Sequence, residues 1–232
     1  MIIYGRNPVH EAIRGPRTVV RVWATAGAAR EAWLGPLARI TTRVGDAAEL
    51  ERLCGSDGHQ GICAEVSPYV YADAAALLHV PDALIVALDQ VQDPQNLGAI
   101  ARSAEGAGVT GLVIPERRAA EVTPAVGKAS AGAVEHLAVA KVRNLADFLT
   151  DAKAAGLWCY GADQQGATPY TQIDFSGPAV LVLGSEGRGL RPRVLSACDA
   201  TVAIPLRGRV QSLSVSAAAA VLIFAAAGAR PA

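Results

Sequence analysis

The chain has 232 residues, of which 51% are hydrophobic and 5% aromatic, and its formal net charge at pH 7 is zero. This length suits one large domain or two small ones, and the apolar content is sufficient for a hydrophobic core. The net charge of zero does not indicate a nucleic-acid partner. Four cysteines without CxxC spacing and four histidines without metal-ligand spacing argue against a disulfide framework and a metal site. With no signal sequence and no apolar stretch long enough to span a membrane, we expect a cytoplasmic protein that needs neither membrane nor metal.

Residues 1–66 are predicted to form a small α/β layer sandwich. Asn7 and Pro8 are typical of an N-cap and a first helical residue, in a helix with Val9, Ala12 and Ile13 on one face. The other predicted elements are a strand at 19–24, a helix at 31–39, a strand at 40–44, a short helix at 47–53 and a strand at 59–66.

Residues 67–82 are predicted to be a linker, because prolines flank a short helix at 72–79. Residues 83–232 then alternate between apolar strands and helices, which indicates a parallel sheet covered on both faces. The predicted strands are 83–89, 111–114, 136–141, 157–162, 179–183 and 200–204. The predicted helices are 96–107, 124–130, 145–155, 190–197 and 212–227.

The segment NLGAIARSAEGAG directly follows a strand and begins at Asn96, which can cap the next helix. Along that helix Asn96, Ile100 and Ser103 lie near one face. Arg102 stands among small and apolar neighbours, where a guanidinium requires an anionic partner. That partner is either a carboxylate in a structural ion pair, or a phosphate or a reacting oxygen of a substrate.

Two later strands run into glycine-rich loops, in AVLVLGSEGRGL and in IPLRGRVQSLSVS. The glycines at 184, 187 and 189 match neither a dinucleotide fingerprint nor a P-loop, but they permit close backbone approach. Glu186 is the only acid in its loop, and it is either functional or an ordinary surface acid. Serines at 212, 214 and 216 are typical of helix caps. Because ligands of open α/β sheets lie at the carboxyl ends of strands, the two loops predict one pocket built largely of backbone.

Arginines cluster near the N-terminus, at Arg117 and Arg118, and around the two glycine-rich loops. They are either scattered solvated side chains or a phosphate-binding surface.

The three segments, in this order and spacing, resemble the SpoU (TrmH) family of SPOUT methyltransferases. KASAGAVEHLAVAKV and the opening YGRNPVHEAI with the later HQG resemble the same family and its N-terminal RNA-substrate domain. The resemblance spans nearly the whole chain and is strongest for bacterial 23S rRNA guanosine-2′-O-methyltransferases. It implies S-adenosylmethionine as cofactor, a deep C-terminal trefoil knot, and a homodimer with active sites at the subunit interface.

Carried over by position, the resemblance implies that Asn96, Arg102 and Glu186 are active-site residues. The implied cofactor contacts are Leu183, Gly184, Gly187, Ile204, Leu206, Leu213 and Ser214. Arg6, Arg207 and Arg209 are candidates for contacts with the RNA backbone. The chain departs from the family pattern at Ser214, where the family usually carries asparagine, whose amide offers both donor and acceptor with longer reach.

The implied reaction is methyl transfer to a ribose 2′-hydroxyl, with Arg102 stabilising a developing alkoxide or holding the adjacent phosphate. The alternatives are the same reaction on tRNA or as antibiotic self-protection on rRNA, and a non-catalytic RNA-binding ribosome-assembly factor with a decayed pocket. Ser214 is the feature that favours the non-catalytic alternative. A nucleotide-dependent oxidoreductase lacks its fingerprint glycines and acidic ribose partner.

Overall fold

The computed structural model describes residues 1–34, 41–164, 166, 168–185, 187–209 and 212–230. Its first unit is a four-stranded sheet in the order β1-β4-β2-β3, in which only β2 and β3 run parallel. The sheet is covered by α1 on one face and α2 on the other, because Val9 packs with Ile3 while Leu50 packs with Trp23. The elements are β1 (Ile2–Tyr4), α1 (Arg6–Arg14), β2 (Val19–Ala24), β3 (Thr41–Val44), α2 (Ala47–Cys54) and β4 (Ile62–Val66).

The prediction that Asn7 caps α1 is wrong. The helix begins at Arg6, after Gly5, whose φ of 97° lies in the region that favours glycine. Strand β1 ends one residue earlier, and the sharp turn that glycine allows starts the helix at once. Three residues are too few to show a strand pattern, so β1 was not predicted. Of the helix predicted at 31–39, Glu31 is extended and 32–34 form a 3-10 turn. Residues 35–39 lie outside the described residues, as does residue 40 of the next strand.

The second unit is a seven-stranded sheet in the order β7-β6-β5-β10-β8-β11-β9, with every pairing parallel. This confirms the predicted parallel sheet. Its strands are β5 (Leu84–Asp89), β6 (Gly111–Pro115), β7 (Val139–Val142), β8 (Trp158–Ala162), β9 (Thr168–Pro169), β10 (Ala179–Gly184) and β11 (Ala200–Ala203). The two-residue edge strand β9 was not predicted, since two residues carry no periodicity.

Helices cover both faces of this sheet, as predicted. One core contains residues of α4 and α8, among them Ile100 and Leu222, and the opposite core contains residues of α3, α6 and α7, among them Leu149. The helices are α3 (Ala74–Leu77), α4 (Pro94–Gly106), α5 (Pro124–Ala129), α6 (Leu145–Ala154), α7 (Pro192–Ala197) and α8 (Val215–Gly228). No helix in the described ranges is long and apolar enough to cross a membrane.

The two units contact each other through charged side chains. Arg17 of the first unit forms a buried ion pair with Glu135 at 2.9 Å and donates two hydrogen bonds to the Ser67 carbonyl. The Glu11 carboxylate pairs with His136 at 2.8 Å. Glu135 and His136 both belong to the KASAGAVEH segment, which therefore carries the docking contact.

The strand order places several loops together. The central strands β5 and β10 pair in register from Leu84 with Ala179 to Asp89 with Gly184, so their carboxyl ends coincide. The chain leaves β5 toward β6 on one side and returns to β10 on the other, which makes this edge a topological switch point.

Candidate active site

A cleft of about 280 Å³ opens at this switch point. It joins all three segments singled out in the sequence: the loop from β5 into α4, the loop after β10, and the start of α8. The side chains that line it are Gln90, Val91, Gln92, Asp93, Asn96, Ser185, Arg188 and Val215. The prediction of one pocket is confirmed for the loop after β10 and the start of α8, and its construction largely from backbone stays a prediction.

The first wall of the cleft is the start of α4. Asp93 caps the helix by accepting a hydrogen bond from the Gln95 backbone amide at 3.0 Å, and Pro94 occupies the first helical turn. The prediction that Asn96 is the cap is wrong, because Asp followed by Pro is a stronger start signal two residues earlier. Asn96 instead lies inside the first turn, half-buried, with its side chain against the cleft.

An ion pair with a buried carboxylate joins the end of β5 to the residue before α7. Asp89 is 1% exposed and accepts hydrogen bonds from the Arg191 backbone amide at 2.8 Å and the Arg191 Nε at 2.7 Å. The guanidinium Nη2 lies 2.7 Å from the same carboxylate. A buried carboxylate held by this many charge-assisted bonds fixes the geometry of the loops beside it. Sequence reasoning missed this pair, because the place of Asp89 at the end of an apolar strand marks the aspartate alone and not its partner.

The loop after β10 depends on its glycines, as predicted. A Cβ on Gly184 would overlap the backbone of Gly189, since the loop folds back and Gly189 N–H donates to the Ser185 carbonyl at 3.0 Å. Gly187 and Gly189 have φ of 76° and 64°, in the left-handed region. Leu183 is fully buried in the core, so its side chain is not available to a ligand. Glu186 lies outside the described residues.

The third segment supplies apolar side chains and a helix start. Ser214 is the N-cap of α8, and its Oγ accepts from the Ala217 amide at 3.2 Å and lies 3.2 Å from the Ser216 Oγ. The capping role that the local sequence favoured is therefore confirmed. Leu206 and Leu213 are each 39% exposed, Ile204 is half-buried, and residues 210–211 between them lie outside the described residues.

Arg102 does not line the cleft of its own chain among the described residues. It is six residues beyond Asn96 on α4, which places it roughly 9 Å along the axis and about 120° around it. Its side chain is exposed, and within the described ranges it forms neither an ion pair nor a hydrogen bond. The structural ion pair considered from the sequence is therefore not formed there.

The arginines divide into two groups. Arg191 and Arg193 pair with Asp89 and Asp147, so part of the cluster is structural. The predicted RNA contacts lie on different units: Arg6 begins α1 and is 3.2 Å from Glu31, whereas Arg207 and Arg209 are exposed in the loop between β11 and α8.

The cysteines are free thiols, as predicted. In the described part of the chain no group of three or more His, Cys, Asp or Glu side chains could hold a metal ion, and the prediction of no metal site stays a prediction.

A parallel sheet with a loop-built cleft at its switch point is typical of α/β proteins that bind a ligand at this edge, and comparison with known proteins narrows this class. Family models match residues 83–224 as the SpoU rRNA Methylase family and residues 2–72 as RNA 2′-O ribose methyltransferase substrate binding. The chain belongs to the SpoU methyltransferase family.

Individual relatives agree. The chain is 40% identical to a tRNA/rRNA methyltransferase of Mycolicibacterium vanbaalenii over 96% of its length and 74% of the relative. It is 35% identical to the TrmH family tRNA/rRNA methyltransferase YacO of Bacillus subtilis over 96% of its length and 93% of the relative. The SpoU methyltransferase AviRb from Streptomyces viridochromogenes, solved with AdoMet, superposes with a TM-score of 0.82 at 25% identity, covering 98% of this chain and 89% of that one. The predicted family and fold class are confirmed, and the trefoil knot stays a prediction.

Proposed function

We propose that this protein transfers a methyl group from S-adenosylmethionine to a ribose 2′-hydroxyl of RNA, with a guanosine of 23S rRNA as the favoured target. The observation that carries the proposal is the cleft in which Asn96, Ser185, Arg188 and the start of α8 meet. The match of the first unit to an RNA 2′-O ribose methyltransferase substrate-binding model supports RNA as the acceptor. An rRNA substrate would place the protein in the cytoplasm, and we propose functional units of residues 1–66 and 83–232 joined by a linker at 67–82.

The residues present fit this cofactor. Gly184 and Gly187 add no side chains to the loop after β10, so that their backbone groups can approach an adenosine. Leu206 and Leu213 offer exposed apolar surface, as a purine ring requires. When bound, the cofactor supplies an already activated methyl group on a sulfonium. We assign its contacts to Gly184, Gly187 and backbone groups of Leu183, and to Ile204, Leu206, Leu213 and Ser214.

The protein must then align the ribose and stabilise the charge that develops on its oxygen. An arginine side chain stays protonated in proteins, so Arg102 acts electrostatically, on the developing alkoxide or on the adjacent phosphate. Asn96, at the cleft wall, can orient the acceptor nucleotide with its amide. We assign Glu186 to orienting Arg102 or to handling the proton.

A homodimer accounts for the position of Arg102 outside its own cleft. On α8, the exposed residues Ala217, Val221, Phe224 and Gly228 follow one another at helical spacing and form a stripe with no polar side chain. Phe224 is 54% exposed. Because α4 packs beside α8, a second copy seated on this stripe would lie close to Arg102. We therefore propose that each active site uses Arg102 of the other subunit.

The assignment of Arg102 is tested by single-turnover methylation of 23S rRNA transcript with Arg102→Ala and Arg102→Lys, with cofactor binding measured separately by calorimetry. We expect Arg102→Ala to lose at least 100-fold in rate with cofactor affinity unchanged. Wild-type turnover by Arg102→Ala would refute the role. Mixing Arg102→Ala with a cleft variant, Asn96→Ala, tests the dimer, because heterodimers would regain one intact site.

The same assays separate the alternatives. A wild-type chain that binds S-adenosylmethionine and methylates tRNA transcripts but not rRNA would favour the tRNA reaction. Absence of cofactor binding would favour a non-catalytic RNA-binding factor, and restoration of binding by Ser214→Asn would trace the loss to that position.

A further inference from the structure

We propose that the loops after β6 and β7 hold an unpaired segment of the RNA substrate next to the cleft, through Arg117, Arg118 and Arg143. We call these three arginines the basic edge. The inference rests on the proposed function, and it concerns a different surface from the cleft and from the three arginines assigned above.

The sheet places the basic edge beside the cleft. Strands β6 and β7 pair in parallel up to Pro115 with Val142, and the Glu116 amide donates to the Val142 carbonyl at 2.9 Å. Arg117 and Arg143 therefore leave adjacent strands at the same carboxyl edge. Since β6 also neighbours β5, whose loop forms the cleft wall, the basic edge begins about 5 Å from it in the direction across the strands.

The charges of the basic edge are uncompensated within the described residues. All three side chains are exposed, and none forms an ion pair there, in contrast to Arg17, Arg191 and Arg193. Two of the nearby carboxylates already form ion pairs with other cations. Glu121 pairs with Lys141 and Asp147 with Arg193, which leaves Glu116 and Asp151 against three arginines. The edge is therefore net positive, as a phosphate backbone requires.

The backbone of Arg118 adds an independent observation. Its φ is 58°, in the left-handed region, where a residue with a side chain is strained by about 1 kcal/mol or more and glycine is not. The side chain is exposed, so packing of the core does not explain why arginine occupies this position. An exposed arginine at this position can contact RNA without disturbing the core.

A groove of about 1010 Å³ continues from the basic edge between α3 and α6. Its lining includes Arg117 and Arg143, the carboxylates of Glu116, Asp147 and Asp151, and Leu78 with His79 directly after α3. Single-stranded RNA is recognised by phosphate contacts together with stacking of splayed bases on aromatic rings. We assign the phosphate contacts to the arginines of the basic edge and stacking of a base to the exposed His79, with the carboxylates of the groove left outside the contact.

The test is the double variant Arg117→Gln/Arg143→Gln, with Lys153→Gln as a control that removes a cationic side chain from the same unit outside the groove lining. Binding of a 23S rRNA transcript is measured by filter retention between 50 and 300 mM KCl. About 0.7 of the salt slope is expected to disappear for each lost contact with single-stranded RNA, so the test variant should lose about 1.4 and the control none. Cofactor binding by calorimetry should stay unchanged in both.

Arg118→Gly separates a ligand contact from a structural one. It relieves the strained backbone, so we expect equal or higher stability in urea together with weaker RNA binding. A test variant that matches wild type in affinity and salt slope, while wild type methylates the transcript, overturns the basic edge and leaves the proposed function intact. A wild-type chain that binds neither RNA nor cofactor overturns both.

Discussion

Replacing Arg17 with alanine is expected to destabilise the folded chain by about 3–5 kcal/mol, because the buried carboxylate of Glu135 then loses its ion-pair partner. The side chains of Arg17 and Glu135 are 6% and 2% exposed, and Oε2 of Glu135 is buried with no hydrogen-bond partner in the described structure. Burial raises the pKa of the Glu135 carboxyl above its ordinary value even though Arg17 lowers it. The variant also removes both hydrogen bonds to the Ser67 carbonyl.

The free energy of unfolding would be measured in urea by tryptophan fluorescence, which reports on both units through Trp23 and Trp158. Arg14→Ala is the matched control, because Arg14 pairs with Glu11 at 3.4 Å with its side chain 62% exposed, and such a pair contributes about 1 kcal/mol at most. Removing both charges of the buried pair together, in Arg17→Met/Glu135→Met, should recover most of the loss.

The pH dependence tests whether charge burial is the cause. Without Arg17, the pKa of Glu135 in the folded state rises further above its value in the unfolded state. The loss of stability from burying the charged carboxylate is therefore complete at pH values above the folded-state pKa. It disappears as the pH falls toward the unfolded-state pKa, because the carboxyl is then protonated in both states. The stability difference between wild type and Arg17→Ala should therefore shrink from pH 8 to pH 5. A difference under 1 kcal/mol at pH 8, or one that does not change with pH, would refute the reasoning.

Three further substitutions address the candidate site. Gly184→Ala should weaken cofactor binding at least 10-fold in calorimetry, because the added Cβ overlaps backbone that cannot move aside, while Gly177→Ala, which meets open space, should bind normally. Ser214→Ala should lose about 1 kcal/mol of stability in urea, whereas Ser214→Asn should keep the wild-type stability, since asparagine also caps helices well. Equal stabilities of the wild type and both variants would contradict the capping role of Ser214. Phe224→Asp should convert a dimer to a monomer in light scattering, whereas Val70→Asp, at an 82% exposed site on another surface, should not; a wild-type monomer would contradict the proposed interface.

The sheet and its cleft could be predicted because long apolar strands and glycine-rich loops carry local signals. Strand β10, with six residues, and the glycines after it needed no knowledge of distant residues. The ion pair of Asp89 and Arg191 was not predictable in this way, since its members are 102 residues apart and are brought together only by the strand order.

The role of Arg102 was also not predictable in full, but for a different reason. Its local sequence indicated a functional arginine, but a helix face alone does not say which surface it meets. Only the packed helices show that the cleft of the same chain lies elsewhere, and this leads to the proposal that a second copy completes the site.

The pairing of β5 with β10 also has a consequence for how quickly the chain reaches this fold. Leu84 pairs with Ala179, 95 residues later, and the chain between them supplies strands on both sides of that pair. Closing a loop of this length costs conformational entropy before most of the stabilising contacts have formed. Folds rich in such distant contacts therefore form slowly. The apolar faces of β5 and α4 must therefore stay exposed while the later strands are found, so refolding from denaturant should be slow and should give higher yields at low protein concentration.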